Sequence, residues 1–179
     1  MSDAQSRHFR RDETLAIKGG RMDSRYLSPV RTLATAALLA AALAGCSSTP
    51  KPPQINATVV ANANANPDAR NRPSPVVVRV YELKAPAAFE SADFFSLFEK
   101  DQATLAADLL AKDEFVLQPG QSRTIERPGK VETRYVAVMA GFRELERSVW
   151  RGVIPVTPGK KNTIRITLDD KKLTVQAAQ

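Results

Sequence analysis

The stretch PVVVRVYEL, Pro75 to Leu83, is the strongest strand signal in the 179-residue chain. It is β-branched and alternates with a period of two. Val76, Val78 and Val80 therefore share one face, and Val77, Arg79 and Tyr81 share the other. Upstream, INATVVA (Ile55 to Ala61) is a weaker strand of the same kind. Between the two lies NANANPDARNRPS, Asn62 to Ser74, long and polar, with Asn66-Pro67-Asp68 and Pro73 favouring turns. A connection of that length is uncommon inside a domain unless it has a function or is disordered.

Downstream the period changes. In SADFFSLFEKDQATLAADLLAK, Ser91 to Lys112, Phe94 and Phe98 are four apart, as are Leu105 and Leu109. Two short helices broken near Asp101 are expected, with Ser91 and Asp101 as N-caps and the Phe cluster docked on a sheet. Strands then resume at Phe115–Leu117, Gln121–Glu126, Thr133–Phe142, Val149–Val156, Asn162–Leu168 and Lys172–Val175. In TIRITL, Ile164, Ile166 and Leu168 face inward and Thr163, Arg165 and Thr167 outward. Pro119-Gly120, Pro128-Gly129 and Pro158-Gly159 suit type II turns. About eight short strands at this spacing imply an all-β antiparallel sandwich with a small helical insertion at about 91–112. Trp150 is expected in its core.

The first 45 residues read differently. Met1 to Arg31 carries seven Lys/Arg against four Asp/Glu, and Leu33 to Ala44 is an uncharged run of Ala, Leu and Thr. A basic segment, a short apolar run and then small residues make a secretory signal over 1–45, and Met22 offers a better start than Met1. The apolar run is too short to span a bilayer, which takes about 20 residues. It ends in Leu43-Ala44-Gly45-Cys46, which resembles the bacterial lipobox. That likeness implies cleavage before Cys46, a diacylglycerol on its thiol and an acyl chain on its new α-amine. These lipids are the only non-protein groups expected. Ser47 at the following position favours sorting to the outer membrane, facing the periplasm. Residues 46–54 then form a Ser/Pro tether and 55–179 the domain. Without the leader, 19 Lys/Arg stand against 15 Asp/Glu, so the formal charge falls from +7 to +4. A mild positive balance in the periplasm argues against nucleic acid as a partner.

Little supports catalysis. The single histidine, His8, lies in the leader, so the mature chain has neither imidazole nor free thiol. The carboxylates Glu82, Glu90, Asp93, Asp113, Glu114, Glu144, Glu146, Asp169 and Asp170 read as solvated turn, strand and helix positions. Arg143, Arg147 and Arg151 alternate with Glu144 and Glu146 and read as a mixed-charge hairpin. The chain is expected not to be an enzyme.

The order of lipobox, first strand, NANANPDARNRPSPVVVRVYEL, ADFFSLFEKD, DLL, LQPGQ and YVAVMAGF…WR resembles the TssJ (SciN-like) lipoproteins of the bacterial type VI secretion system. The likeness runs from about Asn56 to Val175. Asn71 departs from it, since glycine is the more usual residue there. The resemblance implies a transthyretin-like sandwich and a structural role. It also implies an outer-membrane lipoprotein that binds the periplasmic domain of TssM, an inner-membrane protein associated with TssL. The contact it implies falls on the loop after the first strand: Asn62, Asn64, Asn66, Pro67, Asp68, Arg70, Asn71, Arg72, Pro73 and Ser74. The other reading left open by the residues is a periplasm-facing lipoprotein binding module of another kind, a pilotin-like chaperone or a glycan or peptide binder.

Overall fold

The computed structural model describes residues 50–178. The leader and the expected acylation site, Cys46, lie outside the described residues. Eight strands form two four-stranded sheets. The strands are β1 (Gln54–Ala61), β2 (Val76–Leu83), β3 (Leu109–Leu117), β4 (Ser122–Pro128), β5 (Tyr135–Gly141), β6 (Arg151–Pro155), β7 (Lys161–Asp169) and β8 (Lys172–Ala177). One sheet runs β4-β1-β7-β8 and the other β3-β2-β5-β6. Helices α1 (Ala87–Ser91) and α2 (Phe94–Leu105) follow β2. The chain is an all-β sandwich with a short helical layer on one face.

Between the eight strands the pairing is antiparallel with one exception. β1 lies parallel to β7, from Gln54↔Lys161 to Ala61↔Leu168. Parallel strands need a long crossover, and nearly the whole domain lies between these two.

The alternation in β2 has a further consequence. Val76, Val78 and Val80 enter the core between the sheets with Ile55, Val59, Ile164, Ile166 and Leu168. Tyr81 and Leu83, on the other face, enter a second core with Phe89, Leu97, Leu105 and Met139. β5 divides in the same way, Val136 and Val138 going to one core and Ala137 and Met139 to the other. Strands covered on both faces lose the polar half of their pattern, which is why these two read as continuous apolar runs. Trp150 is partly buried and packs against both cores.

Several expectations shift. The helical segment starts at Ala87 and gives way to β3 at Leu109, so 109–112 is strand rather than helix. Lys112 is held there by pairing with Tyr81. Ser91 ends α1, and the N-cap of α2 is Asp93, whose Oδ1 accepts from Ser96 N at 2.9 Å. Asp101 caps nothing. The break in α2 falls at Lys100 (φ −137°, ψ 35°), and Asp101 turns inward to accept from Lys112 Nζ at 2.8 Å and from the Tyr81 hydroxyl at 3.3 Å. Burial opposes its ionisation, but the Lys112 and Arg79 cations hold its pKa below the ordinary value.

Arg79, on the helix-facing side of β2, fastens the break. Its Nη1 donates to the carbonyls of Leu97 (3.1 Å) and Phe98 (2.7 Å), in the turn that leads into the kink. Of the Phe cluster, Phe94 and Phe98 stack at 5.3 Å, and Phe94 meets Trp150 edge-on. Phe95, one residue round the helix, is exposed. Gly120 (φ +79°) and Gly159 (φ +70°) make the expected turns. Gly129 does not: Pro128 still belongs to β4, and Gly129 N donates to Pro53 O.

Glu82 is the largest departure. It reads as a solvated strand residue but is 2% exposed. It lies on the inter-sheet face of β2, where its carboxylate accepts from Arg127, from Lys130 N (2.9 Å) and from Thr133 Oγ1 (2.7 Å). Arg127 also donates to Asp113 at 2.7 Å. Burial alone would lower the Arg127 pKa, but Asp113 and Glu82 raise it.

Candidate partner-binding pole

β1 separates two ends of the sandwich. Its first residue is where the tether enters, and its last opens the long loop, 62–75. Three other connections gather beside that loop. Gly120 N, from the β3–β4 turn, donates to Ala61 O at 2.9 Å. Asn66 N donates to Asp170 O, in the β7–β8 turn, at 2.7 Å. Arg143 N, from the β5–β6 connection, donates to Asn66 Oδ1 at 2.7 Å.

The loop is held in one shape by its own side chains. Asn66 is 2% exposed and left-handed (φ +53°). Its amide bridges two segments, with Nδ2 donating to Pro75 O at 2.6 Å while Oδ1 takes the Arg143 proton. Four residues of turn follow, organised on Asp68. Asp68 Oδ1 accepts from the backbone amides of Arg70 (2.9 Å) and Arg72 (3.0 Å), and Oδ2 accepts from Arg72 Nε (2.8 Å). The Arg72 hydrogen bonds are the main reason that the Asp68 pKa falls to about 2. Asn71 is left-handed (φ +56°). Asparagine adopts that region more readily than most residues with a side chain, so it suits this point of the turn. Ser74 N then returns to Ala65 O at 3.2 Å.

The ten residues that the sequence marks as a contact therefore separate into two groups. Asn66, Pro67 and Ser74 are buried and build the loop. Asn64, Arg70, Asn71, Arg72 and Pro73 are exposed, with Asn62 and Asp68 half-buried. Asn64 leans the other way along the pole, towards Asp169, whose pKa it is the chief cause of lowering. The outward part is a short cationic tip, Arg70 and Arg72 with Asn71 and Pro73.

The sequence reading missed the neighbour of this tip. Phe95, Arg143, Glu144, Leu145, Glu146 and Arg147 line a groove of about 460 Å³ between α2 and the β5–β6 connection. Phe95 is 61% exposed. The spacing carries a weak signal: Phe95 lies about 100° round the helix from Phe94, at the edge of the face that buries Leu97 and Leu105. The Arg/Glu cluster is mixed, as its composition suggests, with Lys171 donating to Glu144 at 2.8 Å. Arg151 stands apart and donates to the last carbonyls of α1, Phe89 O and Ala92 O.

A partially buried polar loop, prearranged at one end of a sandwich, fits protein recognition. Among the described residues no cluster of His, Cys, Asp and Glu has the makings of a metal site, and no helix is long and apolar enough to cross a membrane. The family model for type VI secretion lipoproteins (VasD, EvfM, TssJ, VC_A0113) matches residues 53–171, about two thirds of the chain. The chain belongs to this type VI secretion lipoprotein family. Its fold is that of solved relatives. The lipoprotein TssJ1 of Pseudomonas aeruginosa is 37% identical, with a TM-score of 0.69 over 72% of this chain and 98% of that one. Serratia marcescens Lip, a membrane-bound component of the type VI secretion system, is 25% identical, with a TM-score of 0.63 over 70% and 97%. A chain in the structure described as the type VI secretion protein TssM C-terminal domain from EAEC is 31% identical, with a TM-score of 0.60 over 68% and 99%. The comparison with curated proteins found no match. The chain is thus a lipoprotein of the type VI secretion membrane complex.

Proposed function

We propose that this lipoprotein is held in the outer membrane by acyl chains on Cys46 and binds the periplasmic domain of TssM through the tip of the 62–75 loop. The observation that carries the reading is the construction of that loop. A flexible connection would lose conformational entropy on binding, whereas this one already holds Arg70, Asn71 and Pro73 outward on a frame of side-chain hydrogen bonds from Asn66 and Asp68. Membership of a secretion lipoprotein family and the likeness to a chain in a TssM structure support the choice of partner. The Leu43-Ala44-Gly45-Cys46 motif supports the anchor, and Ser47 supports the outer membrane over the inner.

The test is a crossed fractionation and pull-down with the TssM periplasmic domain. Arg70→Glu should stay in the membrane fraction and lose affinity about thirtyfold, the loss expected at a central contact. Cys46→Ser should leave the membrane fraction and keep its affinity. Unchanged affinity in Arg70→Glu would overturn the contact, and an unchanged distribution of Cys46→Ser would overturn the anchor.

A further inference from the structure

The opposite end of the sandwich, where the tether enters, is built from three segments joined by backbone hydrogen bonds. Gly129 N donates to Pro53 O at 2.8 Å, and Gln54 N donates to Lys160 O at 2.8 Å. A Cβ placed on Gly159 would meet Lys51 Cβ at 3.4 Å, so Lys51 lies against the β6–β7 turn. The chain coming from Cys46 is thereby clamped between the β4–β5 connection and the β6–β7 turn.

Both flanks are cationic. Lys51, Lys130, Arg134, Lys160 and Lys161 are all exposed. None of the ion pairs among the described residues involves them. Arg134 donates only to the carbonyls of Val131 and Thr133. Nearby carboxylates are largely committed elsewhere. Glu82 and Asp113 share Arg127, and Glu132 pairs with Lys84 at 3.2 Å. Asp108, half-buried at the foot of β3, and Glu126, exposed on β4 opposite Asn56, are the exceptions. Val131, 43% exposed, stands at the apex of the β4–β5 connection. At the loop pole three of the cations, Arg72, Arg147 and Lys171, pair with carboxylates, while the exposed Arg70 and Arg143 stand outside the ion pairs among the described residues.

We infer that this tether pole is a second membrane contact that takes anionic phospholipid headgroups and fixes the orientation of the domain. The inference rests on acylation at Cys46. Lys51 is five residues beyond that cysteine, a reach of at most about 18 Å. The acylated chain cannot hold the pole farther away than that. That reach is an upper bound: the Debye length is about 8 Å at physiological ionic strength, so the attraction acts when the slack tether lets the pole approach the surface to within about that distance. Each cation brought to the surface adds about 1 kcal/mol, or about fivefold in population. Acyl chains alone secure residence in the bilayer but leave the domain free to tumble about its tether. Phosphate or carboxylate headgroups against Lys130, Arg134, Lys160 and Lys161 remove that freedom, with Val131 directed at the interface.

The experiment uses the acylated protein on vesicles of phosphatidylcholine alone or with phosphatidylglycerol, read by amide hydrogen exchange. At 10 mM salt, exchange at 129–134 and 157–161 should slow at least about fivefold on the anionic vesicles, with no change at 68–73. The slowing should vanish at 0.5 M salt and in the Lys130→Gln/Lys160→Gln/Lys161→Gln variant. If that variant fails to fold, Lys160→Gln alone should reduce the slowing. Equal exchange on both vesicles in the unaltered protein would overturn the inference. Slowing by cell-wall fragments but by neither vesicle would overturn it too, and would assign the pole to the wall polymer. Failure of the anchor itself would look different: the protein would remain unbound to vesicles of either composition.

Discussion

Replacing Asn66 by alanine tests whether the long loop is built or merely permitted. The Asn66 amide is buried and makes two hydrogen bonds, to Pro75 O at 2.6 Å and from Arg143 N at 2.7 Å. Truncation leaves a carbonyl and an N–H without partners, and each buried orphan costs about 1–3 kcal/mol. Alanine must also adopt φ +53°, which for an ordinary side chain costs roughly 1–2 kcal/mol. The sum is about 3–8 kcal/mol, and local relaxation should bring the measured loss towards about 4 kcal/mol. That is a large share of the roughly 5–15 kcal/mol that holds a domain together. Trp150, the only tryptophan in the chain, packs against both cores and reports urea unfolding by fluorescence. Asn66→Gly provides the control, because glycine accepts the left-handed angle. Its loss should be smaller than that of alanine by about 1–2 kcal/mol, which isolates the backbone contribution. The Arg143 amide should exchange faster in both variants. An Asn66→Ala loss below about 1 kcal/mol would show that the bridge does not hold the loop.

Two further outcomes follow from buried or paired carboxylates. Glu82→Ala removes the partner of Arg127 together with the acceptor for Lys130 N and Thr133 Oγ1. It should lower unfolding stability by about 3 kcal/mol, the lower end for a broken buried pair, because Arg127 keeps Asp113. A loss under 1 kcal/mol in urea unfolding would contradict the network. The Asp68 carboxyl has its pKa depressed to about 2, first by the Arg72 hydrogen bonds. A depressed folded-state value means that its contribution is complete above the ordinary value of 3.8 and is lost as pH falls through about 2. A carboxyl-carbon NMR titration should place the midpoint near 2, and a midpoint near 3.8 would mean that the Asp68 turn does not persist in solution.

The sandwich was legible because most strands carry local signals: alternation in β1, β2 and β7, Pro-Gly turns at two of three positions, and a helical period between β2 and β3. What misled were residues whose surroundings come from distant parts of the chain. Glu82 alternates correctly onto the inter-sheet face, but nothing local announces that Arg127, Lys130 and Thr133 will meet it there. Lys112 looks helical in its own neighbourhood and becomes strand through pairing with Tyr81. The parallel β1–β7 pair has no local signature at all. At the candidate site, the length and polarity of 62–74 marked the loop, but composition could not separate its buried frame from its exposed tip. Asn66 and Asn71 have the same residue type and the same left-handed backbone. One is a pin and the other a surface residue, because only Asn66 lies under the β5–β6 connection.

The two ends of β1 give the domain a direction. The tether joins its first residue and the loop its last, and between them β1 is paired along its length with β4 on one side and β7 on the other. Force applied between a lipid anchor and a partner on the loop tip runs parallel to this strand. It loads fifteen residue pairings, seven to β4 and eight to β7, in shear. It does not peel them one at a time. A loop held only by its covalent ends would slacken under such load, but the Asn66 bridge and the Asp68 turn carry it into Pro75, just before β2, and Arg143, in the β5–β6 connection. Both sheets therefore resist together. Under the function proposed above, this gives a mechanical reason for a polar loop to be so thoroughly hydrogen-bonded: a contact that bears load between an anchor and a partner must be as stiff as the strands behind it.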